Sequence, residues 1–235
     1  MAIRNRKSGA WLAPLILATL VSACSAPGVQ QADRDNAAQQ GGQPPHPAAL
    51  SEYRRLLAEA QQLSFTLDFN QLRRAFVESA EYNPHGGVEL AGLPEAYESV
   101  EQSKFDECLQ HVDEVLARNY MSLEAHMIGV VCSGRSADME REDRHRYMVE
   151  GLMGSIESSG DGRSQESAYQ TISTSELRGF VRLKGLQVLD QSLVYDQQGV
   201  YDKMQVRDPE SGDEYPLYFN VSEQFAHSVD TAGGE

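Results

Sequence analysis

Residues 105–132 read FDECLQHVDEVLARNYMSLEAHMIGVVC, and this stretch decides how the folded part of the chain is built. Phe105, Cys108, Leu109, Val112, Val115 and Leu116 recur every three or four residues, the spacing of one amphipathic helix face. Asn119 to Ser122 break the pattern, and Ala125, Ile128, Gly129 and Cys132 define the face of a second helix. Joined by a tight turn, the two helices fold back as an antiparallel hairpin, and small residues such as Ala125 and Gly129 let the backbones approach. Cys108 and Cys132 lie twelve residues either side of Tyr120, so they stand at one height on facing sides of that hairpin. A disulfide between them is therefore predicted; its loop of 25 residues would add roughly 3 kcal/mol by the chain-entropy model. The alternative is a pair of small buried hydrophobes that never bond.

Outward from the hairpin, a third helix is expected from Ala137 to Glu157, with a solvated first half and Tyr147, Met148, Leu152 and Ile156 buried. Ahead of it, Ser51 is the expected cap of a helix through Leu63, and Asp68 caps another bearing Phe69, Leu72, Ala75 and Phe76. Tyr82 to Gly87, YNPHGG, is a breaker. Beyond Ser158 the periodicity changes. Ala168 to Ser173 suits a strand, and Ser173 with Glu176 suits a capping box for a helix closed by Gly185. Residues 187–195, 200–207 and 215–221 then read as an antiparallel meander. The predicted class is α+β: an N-terminal array of antiparallel helical hairpins followed by a small antiparallel sheet with one helix. The helical pairs are loosely tetratricopeptide-like, without the repeat period.

Upstream, Leu20 to Cys24 (LVSAC) has the form of a bacterial lipoprotein cleavage site. Arg4, Arg6 and Lys7 precede an apolar run from Ala10 to Val21 that is too short to span a bilayer, which takes about 20 residues. The expected organisation is a signal peptide over 1–23 and an acylated Cys24 with a disordered tether over 24–49. A helical domain (50–158), a small α+β part packed on it (159–225) and a flexible tail (226–235) complete it. Gln, Ala, Pro and Gly fill 18 of positions 25–49, too little apolar surface to offset the entropy of ordering. Attachment to the membrane is expected through palmitate-type acyl chains on Cys24. Ser25, where retention at the inner membrane would favour Asp, points to the periplasmic face of the outer membrane. The net charge of −15 falls to −18 once the three basic leader residues are cut away, which argues against nucleic acid as a partner.

Asp68-Phe69, Leu72-Arg73, Tyr82-Asn83-Pro84, Ala125-His126, the run IESSGDGRSQESAY over Ile156–Tyr169, and Leu217 to Val221 together resemble the bacterial family catalogued as domain of unknown function 4919. The resemblance spans about Leu63 to Val221. It implies a secreted or lipid-anchored protein with a helical domain, a terminal sheet and no cofactor, and it assigns no activity.

The chemistry-bearing residues are sparse. Gly160 and Gly162 allow the 159–164 loop to turn its N–H groups toward an anion beside Arg163, although Glu157 stands where a Walker loop needs glycine. The competing reading is a helix C-cap and strand-entry turn in which Asp161 bonds local amides. Glu107, His111 and Glu114, and likewise Asp138, Glu142 and His145, share helical faces that read as solvated charge stripes, and no metal is called for. His126 reads as a hydrogen-bonded core histidine. No nucleophile elbow or metalloprotease motif occurs, so no catalytic residue is assigned. Two functional readings follow. One is a non-catalytic, membrane-anchored envelope lipoprotein that binds another envelope protein or peptide. The alternative is a small-ligand binder or hydrolase with its site near Gly160–Ser164, lined by Tyr82, His85, Asp161, Arg163 and Tyr218.

Overall fold

Helices gather in the N-terminal part of the chain and strands near its end, the α+β arrangement that the periodicities predict. The computed structural model describes residues 47–84 and 89–232, which fall in one compact unit. The leader, Cys24, residues 25–46 of the tether and His85 lie outside the described residues. In order come α1 (Pro47–Gln61), α2 (Phe69–Val77), α3 (Glu89–Glu101), α4 (Phe105–Arg118), α5 (Leu123–Arg135) and α6 (Met139–Glu157). Then follow β1 (Tyr169–Gln170), α7 (Thr174–Leu183), β2 (Gln187–Tyr195), β3 (Val200–Arg207), β4 (Glu214–Asn220) and α8 (Ser222–Ala232). No described helix is long and apolar enough to cross a membrane.

Local chemistry sets the boundaries. The Asp68 carboxylate accepts from the amides of Asn70 and Gln71 and caps α2, and Ser173 Oγ accepts from Glu176 N to cap α7. Gly185, at φ +67°, takes the left-handed turn that ends α7, a conformation that costs a side chain about 1–2 kcal/mol. Other expectations need correction. The first helix begins at Pro47, ahead of Ser51, since a proline in a first turn forfeits no intrahelical hydrogen bond. α3 fills a stretch with no expected helix, with Pro94 inside it. Residues 226–232, expected as a flexible tail, belong to α8, which begins with Ser222.

The sheet runs β1-β4-β3-β2. β2, β3 and β4 form the expected antiparallel meander, but two-residue β1 pairs parallel to β4, so the sheet is mixed. β1 is shorter than the expected 168–173 strand because Gly162 O takes the Tyr218 amide at 2.8 Å, while Ser173 is already committed to capping α7.

Two apolar clusters form. The larger joins Tyr53 and Leu56 of α1, Leu72 and Phe76 of α2, and Met148, Leu152 and Ile156 of α6 to Phe180 and to Met204, Val206, Leu217 and Phe219 of the sheet. Helical and sheet parts therefore share one core, and no boundary falls at residue 158. A buried ring such as Phe180 contributes about 1.5–3 kcal/mol there. The smaller cluster packs Leu93 and Ala96 of α3 against Val112 of α4 and Ala125 and Ile128 of α5. Within it Cys108 and Cys132 are joined by a disulfide, with Cα atoms 6.4 Å apart. Tyr120, between α4 and α5, packs against both clusters.

Candidate functional site

The amphipathic α1, α4 and α6 turn apolar residues inward, and a groove of about 590 Å³ is lined by residues of all three. Tyr53, Arg54 and Leu57 come from α1, Asp113, Leu116 and Arg118 from α4, and Arg141, Arg144 and His145 from α6, with Tyr120 among the lining residues. Arg54 pairs with Glu81 at 2.6 Å, Arg141 pairs with Asp113, and Arg144 pairs with Glu140. Arg118, exposed in the last turn of α4, has no acidic partner among the described residues. The wall thus presents four arginines against three acidic residues, Glu81, Asp113 and Asp138, on a chain whose net charge is −15, and Arg118 is the arginine left to a ligand. Guanidinium forks hold carboxylates through two parallel N–H bonds, so the groove suits an acidic segment or a chain terminus.

Beneath this wall lies a wired histidine pair. His126 Nε2 is 2.9 Å from the Tyr120 carbonyl, which can only accept, so that nitrogen carries the proton. His126 Nδ1 is then an acceptor and takes its bond from His145 Nδ1 at 3.0 Å. Both nitrogen roles are assigned from these partners. What remains is the His145 Nε2 lone pair, buried with no partner among the described residues. It lies against Gly129, where an added Cβ would come within 2.6 Å of the imidazole ring. Burial, with His145 adding repulsion, pushes His126 down to about 3. Burial and the Arg141 charge take His145 to about 4. Buried and bonded to each other, the two rings fix α5 against α6. His145 is buried, which corrects the expectation that Asp138, Glu142 and His145 form a solvated stripe. His126 is the hydrogen-bonded core residue expected.

A second buried polar network locks helices to sheet. Arg73 Nε and Nη2 donate to the two oxygens of Glu176 at 2.9 and 2.8 Å, with both residues at most 5 % exposed. Arg73 also reaches Ser155 Oγ at 3.0 Å and the Gln170 carbonyl at 2.7 Å, and Glu176 accepts the Ile172 amide at 2.8 Å. One guanidinium thus ties α2, α6, β1 and α7 together. The expected capping box is half made, because Glu176 turns to Arg73 rather than back to its own cap.

The sequence-derived site residues do not converge. Tyr82 is in the main core, its ring edge-on to Phe76 and His227 and its hydroxyl donating to the Ile172 carbonyl at 2.7 Å. Tyr218 alternates with buried Leu217 and Phe219 and so faces the outer side of the sheet, beside Lys203. Asp161 closes its own loop, accepting from Ser167 Oγ at 2.6 Å and Arg163 N at 2.9 Å, and these bonds hold its carboxyl below the ordinary range. Arg163 lies 3.9 Å over the Tyr215 ring. The 159–164 segment is thus a bonded turn, the competing reading of its sequence. Among the described residues no three His, Cys, Asp or Glu side chains are placed to hold a metal ion. The groove, the pairing of His126 with His145 and that of Arg73 with Glu176 escape sequence reasoning, since the partners lie up to 103 residues apart and each residue reads by itself as part of a local pattern.

An α+β chain with a helical groove is a description of architecture; its kinship is more specific. The chain belongs to the family described as Domain of unknown function (DUF4919), whose profile matches residues 49–229. Neither a curated protein nor a solved structure matches it.

Proposed function

We propose that this protein is a non-catalytic envelope lipoprotein, anchored through Cys24, whose helical face binds another envelope protein or peptide. The observation that carries the reading is the groove between α1, α4 and α6, with Arg54, Arg118, Arg141 and Arg144 on its wall in an otherwise acidic chain. Arginine-rich concave helical surfaces take acidic or carboxylate-bearing segments. The alternative, a small-ligand or hydrolytic site at Gly160–Ser164, draws less support, because Asp161 and Ser167 bond one another and Tyr82 lies in the core.

The LVSAC site supports the anchor and an extracytoplasmic address, and Ser25 supports the outer membrane. Labelling cells with a fatty-acid analogue should mark the wild-type chain and not Cys24→Ala, which should move to the soluble fraction. An unlabelled, soluble wild-type chain would sink the anchoring. For binding, a photo-crosslinking side chain placed at Arg118 of the anchored protein should yield a discrete adduct, and one at Arg163 should not. Adducts at Arg163 alone would favour the loop site.

A further inference from the structure

β2 is the outer strand of the sheet, and of its nine residues only Val194 is even partly buried. In an antiparallel ladder about half of an edge strand's N–H and C=O groups point away from its neighbour. Such edges are commonly guarded by lysine or proline; QVLDQSLVY has neither, and its one charge is Asp190. A register shift between Val188 and Asp190 re-phases the strand, so Val188, Gln191, Leu193 and Tyr195 share the face that looks toward the helices. Leu193 lines a notch under α7 and α8, and the Tyr195 ring lies 6.4 Å from Phe225 of α8. The helices leave this row open: Val188, Leu193 and Tyr195 are 43, 45 and 64 % exposed.

The notch, about 240 Å³, is walled by Leu177 and Arg178 of α7, Gln224 and Phe225 of α8, and Leu193, with Asp202 of β3 also lining it. Asp202 is only 8 % exposed. Its Oδ2 accepts from Gln191 Nε2 at 2.6 Å, while Oδ1 is buried with no partner among the described residues. Arg178 shares the notch, and its charge partly offsets the burial that pushes the Asp202 carboxyl above its ordinary range, but no hydrogen bond joins the two. A buried carboxylate oxygen left unpaired is costly, and the group that answers it best is a cation.

We propose that β2 is a docking edge for an extended segment of a partner protein, and that a lysine or arginine of that segment lies over Leu193 and ends against Asp202. An added strand runs two strand spacings from β3, roughly 9–10 Å, a gap that a long basic side chain crosses while burying its stem on apolar surface. A second copy of this chain is the poorer occupant. Its β2 offers no basic residue to Asp202, and two chains of net charge −15 repel. The surface shares no residue with the arginine groove, so it stands or falls separately from it.

The test uses the full chain in detergent and two end-capped heptapeptides of alternating valine and threonine, one with a central arginine and one with glutamine there. By fluorescence anisotropy the arginine peptide should bind roughly ten-fold tighter, as a charge-assisted bond requires. Asp202→Asn should erase that preference, Arg178→Ala should strengthen it by removing a competing cation, and Leu193→Lys at the exposed edge should weaken both peptides. In the wild-type chain the arginine peptide should slow amide exchange along β2. The proposal is overturned if neither peptide binds, if Asp202→Asn keeps the preference, or if Arg178→Ala weakens the arginine peptide, which would mean that Arg178 holds the segment and does not compete with its cation. It is equally overturned if sedimentation shows the chain alone pairing through a contact that Leu193→Lys abolishes, for then the occupant is a second copy.

Discussion

Acidification from pH 7 to pH 5 should strip this fold of much of its stability, through His126 and His145. Both rings are neutral in the native state, with folded values near 3 and 4 against an ordinary 6.5. A lowered histidine contributes stability that is complete above about 6.5 and is lost as pH falls toward the folded value, because the unfolded chain takes up the proton first. At pH 5 each ring is about 1.5 units below its unfolded value and still above its folded one, so each costs about 2 kcal/mol. The pair is coupled through its Nδ1 contact, and together the two rings should remove about 3–4 kcal/mol, a large share of the 5–15 kcal/mol of an ordinary domain. Most carboxylates stay ionised at pH 5, which keeps the window clean. Urea unfolding at the two pH values is the assay, with His126→Gln/His145→Gln as the control that cannot titrate. The wild-type chain should lose at least 2 kcal/mol more than the control on acidification. Equal losses in the two proteins would refute the assignment of neutral, buried rings.

Replacing Cys108 and Cys132 together by alanine should lower stability by about 3–4 kcal/mol, read from denaturant midpoints, because the separation of 24 residues closes a sizeable loop in the unfolded chain. Arg73→Met should cost about 3–5 kcal/mol by stranding the Glu176 carboxylate, and Arg73→Met/Glu176→Leu should recover part of that loss in a double-mutant cycle. Gly129→Ala should destabilise by about 1–3 kcal/mol in thermal melts and shift the His145 ring resonances, since its methyl would meet that ring at 2.6 Å.

The hairpin of α4 and α5 was legible because its apolar residues repeat at helical spacing and its turn is short, so helix faces and cysteine heights follow from counting. Asp68 and Ser173 were legible as caps because capping is a contact within three residues. α3 was hidden by Gly92 and Pro94, both poor helix formers; burying Leu93 and Ala96 against α4 and α5 outweighs their propensities. The groove was hidden for another reason. Arg54, Arg118 and Arg144 lie on three different helices with no shared sequence pattern, and only the folded chain sets them on one wall. Arg73 and Glu176 likewise become a pair only after the chain has folded, and Asp202 sits in a strand whose neighbours give no hint of its enclosure.

Among the described residues Tyr120 alone packs against both apolar clusters, and the way the two clusters are joined has a mechanical consequence. A load applied at the N-terminal end of α1 and taken up at the sheet would travel through the larger cluster, where Leu56, Ile156 and Phe219 share one packed interior. Helices α3 and α4 stand beside that path, while α5 is tied into it by Leu123 in the larger cluster, by the His126–His145 contact with α6 and by the Glu124–Arg182 pair with α7. The disulfide between α4 and α5 is then the covalent tie that hangs α4, and α3 with it, on that spine, and reducing it would let those two helices yield first while the spine from α1 to the sheet kept its length.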